Sequence, residues 1–458
     1  MKILTAKYVL PIISEPLIDA AVAVDGDKII EVGNVELLQN KFPEAKVDDF
    51  GEAAILPGFV NCHSHLEITA MRGTLDAVEN DFYTWLITLT KLRGEILDED
   101  DLETAAIAGA LEGARAGVTC FGDIGRFGGA GFAALKTVGL RGLLYQETDF
   151  AADGRTANED FERLKEKFLS LYSEQNDLVE VGISPHAPYT VSRELFEKIA
   201  RFGVDENIKI TIHAAESPEE DELMRSGSGF FTTVYEKFGI EWTSPLCSSI
   251  EYLSQTGILE TRPLLAHCIT VTDQDIETIA ESGSSIAHCP KSNAKFGHGY
   301  APFERLCDAG ITVGLGSDSV SSNNTCDMLE EARFAAFAAR NRADRKRFIK
   351  ASEVFEAATI RGAKALGLND KIGSLEQGKQ ADLMVVNLSN IAQQPITNIE
   401  AALVFSSNAR DVEMTMVAGR EIYRNGKSQT VDENRLHARL REIGNKITAN
   451  RTPSSTVG

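Results

Sequence analysis

The sequence predicts an α/β chain: a (β/α)8 barrel carrying a small β-sandwich built from both chain ends. Three observations predict it. Eight short apolar runs alternate with helix-length segments over about 300 residues. Most of the runs lead into a histidine or an aspartate. Both flanks read instead as short strands joined by turns.

In the first flank, residues 1–55, the runs are Tyr8-Val-Leu-Pro-Ile-Ile, Ala21-Val-Ala-Val and Ile29-Ile-Glu-Val. The Asp25-Gly-Asp between the last two is a hairpin signal. Residues 366–430 repeat this character in Ala381-Asp-Leu-Met-Val-Val-Asn, Ala402-Leu-Val-Phe and Met414-Thr-Met-Val-Ala-Gly-Arg. These two flanks are expected to form the sandwich, and 56–365 the barrel. Residues 431–458 are expected to be a polar helix over 432–447 and a tail, with Arg451 to Gly458 disordered.

The expected barrel strands are 55–62, 118–123, 140–146, 179–184, 208–213, 263–267, 284–288 and 311–318. Helical segments such as Asp101 to Ala116 and Ser192 to Phe202 separate them. A doubly wound sheet would need a Gly-rich fingerprint after its first strand. Here Ile55-Leu-Pro-Gly-Phe-Val-Asn-Cys-His63-Ser-His65 stands in that place. On a strand, residues at i and i+2 share a face. His63 and His65 can therefore grip one cation, and imidazole suits Zn, Fe, Ni or Cu.

The same design recurs. His186 follows the fourth run, while His213, His267, His288 and Asp318 close the fifth to eighth. C-terminal strand ends of such a barrel share one rim, so six of the eight histidines meet there. His298 lies on the loop after His288, and His437 in the terminal helix.

Composition narrows the partners. With 46 basic and 68 acidic residues the net charge is -22, which argues against nucleic acid or an anionic membrane. The 43% hydrophobic and 25% charged fractions are those of a globular protein. No apolar run approaches the ~18 residues of a membrane span. Pro11 interrupts the N-terminal stretch, which has no small-residue cleavage site. Seven scattered cysteines with no Cys-x-x-Cys pair fit reduced thiols and a cytoplasmic setting.

Six motifs carry a resemblance. They are Pro57-Gly-Phe-Val-Asn-Cys-His-Ser-His65, His213-Ala-Ala-Glu216, His267-Cys, His288-Cys-Pro-Lys-Ser-Asn293, Gly316-Ser-Asp318 and Gly373-Ser-Leu-Glu-Gln-Gly-Lys-Gln-Ala-Asp382-Leu. In this order the chain resembles the amidohydrolase superfamily, in its mononuclear deaminase and chlorohydrolase branch. The resemblance implies that His63, His65, His213 and Asp318 bind one divalent cation, Zn2+ first and Fe2+ as the alternative. That set leaves a position for water, whose pKa the cation lowers toward neutrality. Binuclear members carry a carboxylated lysine where this chain has His186. The resemblance also makes Glu216 the carboxyl that passes a proton from water to a ring nitrogen. It makes His267 the group that orients the nucleophile and stabilises charge at the attacked centre, and Asp318 the acceptor of the water's proton.

Two stretches bear on substrate. His186-Ala-Pro-Tyr-Thr190 and Phe82-Tyr-Thr-Trp85-Leu resemble S-adenosylhomocysteine and methylthioadenosine deaminases. Those enzymes have a ribose-binding glutamate where this chain has Gly94, with Glu95 beside it, and an arginine where it has Gln146-Glu147. His63-Ser-His65-Leu-Glu67 and Tyr145-Gln-Glu147 look more like aminodeoxyfutalosine deaminases. The expected substrate contacts are His186, Trp85, Glu67, Gln146, Glu147, Ser292 and Asn293. The implied reaction is hydrolytic loss of the 6-amino group of an adenine nucleoside as ammonia, with small-molecule substrate and water as partners and a dimer as the assembly. The alternatives are a guanine, cytosine or triazine substrate, or a non-catalytic barrel; the complete ligand set disfavours the last.

Overall fold

The computed structural model describes residues 1–450, so the disorder expected at Arg451 to Gly458 lies outside the described residues. Eight parallel strands occupy the middle of the chain, in two four-stranded sheets that keep sequence order. The first sheet holds Phe59–Ser64, Val118–Gly125, Arg141–Glu147 and Val179–Ser184. The second holds Thr211–Ala214, Leu264–His267, Ser285–His288 and Thr312–Leu315. An Ile183–Ile210 bridge joins the fourth strand to the segment entering the fifth. The N–H of Asp318 donates to the carbonyl of His63 at 2.9 Å, which ties the last strand end to the first.

These strands are buried almost throughout, as parallel strands are when helices cover them. The helix Glu99–Arg115 shows why such segments cover a sheet. Leu102, Ala106, Ala110 and Ala114, four apart, form one buried stripe, and an Asp98–Asp101 capping box starts it.

The run expected as one strand over 55–62 is two. Ala53–Pro57 belongs to the flanking sheet and Phe59–Ser64 to the parallel set. Gly58 makes the step, because a Cβ there would stand 2.1 Å from Thr119 Cγ2.

Strands from both chain ends join in one nine-stranded sheet. Ala53–Pro57 splices it, pairing parallel with Lys2–Val9 and antiparallel with Leu383–Asn387. The expected sandwich is thus one hydrogen-bonded sheet, with Lys46–Asp49 branching off beside Lys2–Val9. Its inner face gathers Leu4, Val22, Ile29, Ile55, Val385 and Met416 into a separate core. The Asp25-Gly-Asp hairpin joins Leu17–Asp25 to Lys28–Asn34.

Ala402 to Phe405, expected as a strand, lies in the helix Ile399–Ser406. A four-residue apolar run has no decisive period. The missed signal was Asn398, whose side chain accepts the Ala401 N–H at 2.7 Å as an N-cap. The terminal helix is Glu433–Ala449.

One buried ion pair clamps the flanking sheet to the parallel strands. Arg141 reaches Asp382 through Nε at 2.8 Å and Nη2 at 3.1 Å. Asp382 also accepts the N–H of Ala418 at 2.8 Å. Among the described residues no helix is long and apolar enough to cross a membrane.

Candidate metal centre and active site

His63 and His65 leave the first parallel strand on one face, as their i, i+2 spacing requires. His213 arrives from the fifth strand, and its Nε2 stands 3.2 Å from His65 Nε2. Asp318 Oδ1 lies 3.6 Å from His63 Nε2 and 3.7 Å from His65 Nε2. Two nitrogens at about 2.05 Å from one tetrahedral ion are about 3.3 Å apart. His63, His65, His213 and Asp318 therefore fit one small divalent cation.

The electrostatics fit as well. Burial pushes His65 down to about 4 and holds His213 well below the usual imidazole value, so both present lone pairs. Both nitrogens of His63 are buried without a hydrogen-bond partner. His213 Nδ1 contacts the carbonyl of His186 at 3.0 Å, which places its proton there and frees Nε2 for a metal.

Asp318 is held firmly. Ser292 donates to Oδ2 at 2.6 Å, Ser322 to the same oxygen at 3.1 Å, and the Ser319 N–H to Oδ1 at 2.6 Å. Burial raises its pKa, but the neighbouring imidazole of His63, 3.6 Å from Oδ1, outweighs burial and keeps it well below the usual carboxylate range. The backbone is bent to reach this point, with φ of 57° at Asp318 and 73° at His267. Gly316 of the same motif packs so closely that a Cβ would lie 2.7 Å from His63 Cβ.

Glu216 sits beside these ligands. Its Oε1 is 3.7 Å from His267 Nε2, and Oε2 accepts from the Tyr189 hydroxyl at 3.4 Å. Burial, reinforced by the negative charge of Asp318, pushes Glu216 up to about 8. Burial thus favours its protonated form. Glu220 holds its backbone, accepting the N–H groups of Ala215 and Glu216, both at 2.9 Å. His267 places Nδ1 3.0 Å from Asn293 Oδ1, so Nε2 faces the site as an acceptor.

The residue profile of the amidohydrolase family matches residues 54–422. The chain belongs to the amidohydrolase family. This amidohydrolase is 32% identical over 429 residues to the 5-methylthioadenosine/S-adenosylhomocysteine deaminase of Pyrococcus horikoshii, covering 93% of this chain and 95% of the relative. A zinc-bound adenosine deaminase of Xanthomonas campestris superposes with a TM-score of 0.86 at 28% identity, over 98% of each chain. The Helicobacter pylori aminofutalosine deaminase shares the fold, with a TM-score of 0.79 at 24% identity over 92% of this chain and 100% of that one.

Above the ligands of this amidohydrolase lies a cavity walled by Phe82, Trp85, Leu89, Phe296, His186 and Glu147. Its volume is about 60 Å³, well under the about 150 Å³ that admits a benzene ring. Entry of a heterocycle therefore requires the aromatic wall to shift. Trp85, His186 and Glu147, three of the expected substrate contacts, line it.

The other expected contacts are engaged within the protein. Glu67 accepts from the N–H groups of Phe127 at 2.9 Å and Arg126 at 3.2 Å, and from Arg93 at 3.2 Å. Gln146 donates to the carbonyls of Arg126 and Glu147 and lines a separate cleft. Ser292 and Asn293 are bonded to Asp318 and His267. His288 is buried with neither ring nitrogen partnered, and lies outside the ligand set.

Arg93, Tyr189 and Glu220 flank this site, and the sequence reading singles out none of them as a site residue. Tyr189 had a signal, since it falls inside His186-Ala-Pro-Tyr-Thr190.

Proposed function

We propose that this amidohydrolase is a hydrolytic deaminase that replaces the 6-amino group of an adenine nucleoside with oxygen and releases ammonia. The observation that carries the reading is the placement of Glu216, a buried carboxyl 3.7 Å from His267 Nε2 that shares one cavity with His65, His213 and Asp318, where burial favours its protonated form. Exchange of an amine for oxygen on an aromatic ring needs that acid, because the ring nitrogen gains a proton as the carbon is attacked. The names of its relatives support the adenine nucleoside class.

His63, His65, His213 and Asp318 would hold one zinc ion, which when bound would lower the pKa of water toward neutrality. Around it each residue has one task. Asp318 is ionised at the start, takes a proton from the attacking water and passes it to the amino group, which leaves as ammonia. His267, with its Nδ1 proton committed to Asn293, accepts a hydrogen bond from that water and orients it. Glu216 delivers its proton to the ring nitrogen, and Tyr189 holds the carboxyl in place. Trp85, Phe82 and Phe296 enclose the ring and exclude bulk water. The eight parallel strands act as one closed (β/α)8 barrel presenting these groups on one rim.

The test is ammonia release by zinc-loaded protein from adenosine, methylthioadenosine, S-adenosylhomocysteine, aminodeoxyfutalosine, guanine, cytosine and a chlorotriazine. Release from adenine nucleosides is the expected result. Activity confined to another ring would retain the acid and cation chemistry and discard the adenine substrate.

A further inference from the structure

Asp318 stands in a left-handed backbone conformation, which an aspartate keeps only when its surroundings hold it there. Its carboxylate is held by Ser292, from the helix Pro290–Phe296, and by Ser319 and Ser322, from the short helix Val320–Asn323 and its cap. The two donors to Oδ2 also touch, with Ser292 Oγ 3.0 Å from Ser322 Oγ. These segments follow the seventh and eighth parallel strands and belong to neither. The distance between the two serines is therefore set by whatever ties the segments together.

What ties them is one buried carboxylate. Helix Met328–Asn341 turns an apolar face inward, with Met328, Ala332, Ala335 and Ala339 buried, and Glu331 lies wholly buried on that face. A carboxylate at a core position is costly unless it is bonded. Glu331 is bonded to both segments. Its Oε2 accepts the Lys291 N–H at 3.3 Å, and its Oε1 accepts from Asn323 Nδ2 at 2.8 Å. Lys291 immediately precedes Ser292, and Asn323 immediately follows Ser322. Asn323 Nδ2 also donates to the carbonyl of Ser317, the residue before Asp318. The Lys291 ammonium, 3.7 Å from Glu331 Oε1, adds charge to the same join and donates to Thr325 at 2.6 Å. One carboxylate thus spans both segments, a single residue away from each serine that donates to Oδ2.

We infer that Glu331 is a positioning residue: by bridging Lys291 and Asn323 it sets the two serines that aim Asp318 at the cation. Its own bonds go to Lys291 and Asn323, so it acts on the site only through them. This rests on reading His63, His65, His213 and Asp318 as one cation site, and it is independent of the substrate. Glu331→Gln keeps the volume but replaces one acceptor oxygen with an NH2 group that faces a donor. One of the two segments is then released.

The experiment measures Zn2+ affinity by chelator competition in wild type, Glu331→Gln, Ser292→Ala and the double variant, with the Tm of each metal-free protein. The visible absorption of the Co2+-loaded proteins reads the ligand geometry. Glu331→Gln is expected to weaken Zn2+ binding about 10- to 100-fold and to change the Co2+ spectrum. Ser292→Ala should weaken binding too. The double variant should fall within about threefold of the weaker single variant, because the two residues act in series. Unchanged affinity and spectrum in Glu331→Gln, whatever its Tm, overturn the inference. So do losses that multiply in the double variant. If Glu331→Gln does not fold, Asn323→Ala takes its place with the same outcomes. Wild type that binds no Zn2+ overturns the ligand reading and this inference with it. The expected affinities in a protein inactive on every adenine nucleoside would overturn the proposed function and leave Glu331 in its role.

Discussion

Asp123, one layer beneath the rim, shows how burial sets charge residue by residue. It accepts from the Leu66 N–H at 2.8 Å and the Ser64 hydroxyl at 2.9 Å, yet burial pushes its pKa up to about 8. The unfolded chain releases that proton near pH 4, whereas the folded chain keeps it until about 8. The folded state binds more protons between these values, so stability falls as pH rises through that window and is level outside it. Asp123→Asn removes this dependence. The Tm of the variant minus that of wild type should therefore climb between pH 5 and 8, as read by thermal melts in matched buffers. Glu216 carries the same physics into turnover. Replacing it with Gln keeps the shape and removes the transferable proton. Ammonia release should drop by about 100- to 10,000-fold with zinc per chain unchanged. Near-normal turnover in that variant would remove Glu216 from the chemistry.

Among the elements, the seam between the flanking sheet and the parallel strands is the most exposed to a single substitution. Arg141 and Asp382 are both almost wholly buried and bonded in bidentate fashion. Asp382→Ala leaves the guanidinium buried without its counter-ion, a loss of about 3–5 kcal/mol. Urea titration should show it. The double variant Arg141→Met with Asp382→Ala should be less destabilised than Asp382→Ala alone, since no orphaned charge remains. Helix Phe82–Lys91 is the element that must give way for a substrate. Its Phe82 and Trp85 pack against Phe296 at ring-centroid distances of 5.4 and 4.9 Å, and Tyr83 against Phe230 at 3.8 Å. Local elements were unevenly legible. Helix 99–115 announced itself by its four-residue apolar stripe. The helix at Ile399–Ser406 did not, because four apolar residues in a row suit strand and helix alike.

For the whole molecule, the ligand set is where folding and metal binding meet. His63, His65, His213 and Asp318 come from the first, fifth and eighth strand ends, so a bound cation ties together distant parts of the chain and favours the folded state by mass action. Removing it with a chelator should lower Tm, and adding Zn2+ back should restore it; an unchanged Tm would show that no cation bridges these strands. The sequence by itself pointed to the candidate ligands and the candidate acid. His63-x-His65 places two imidazoles on one face through the period of a strand, and Glu216 is tied to His213 by three residues of local chain. Tertiary structure alone decided which other polar groups face the cavity. Glu67 and Glu147 read alike as rim acids, but two backbone N–H groups from a distant loop bind the first, whereas the second faces Arg93 at 3.6 Å and His186 at 3.9 Å on the cavity wall. Arg93 lies in a π-turn and donates to Glu67, and hydrogen bonds between residues far apart in sequence are absent from any local pattern.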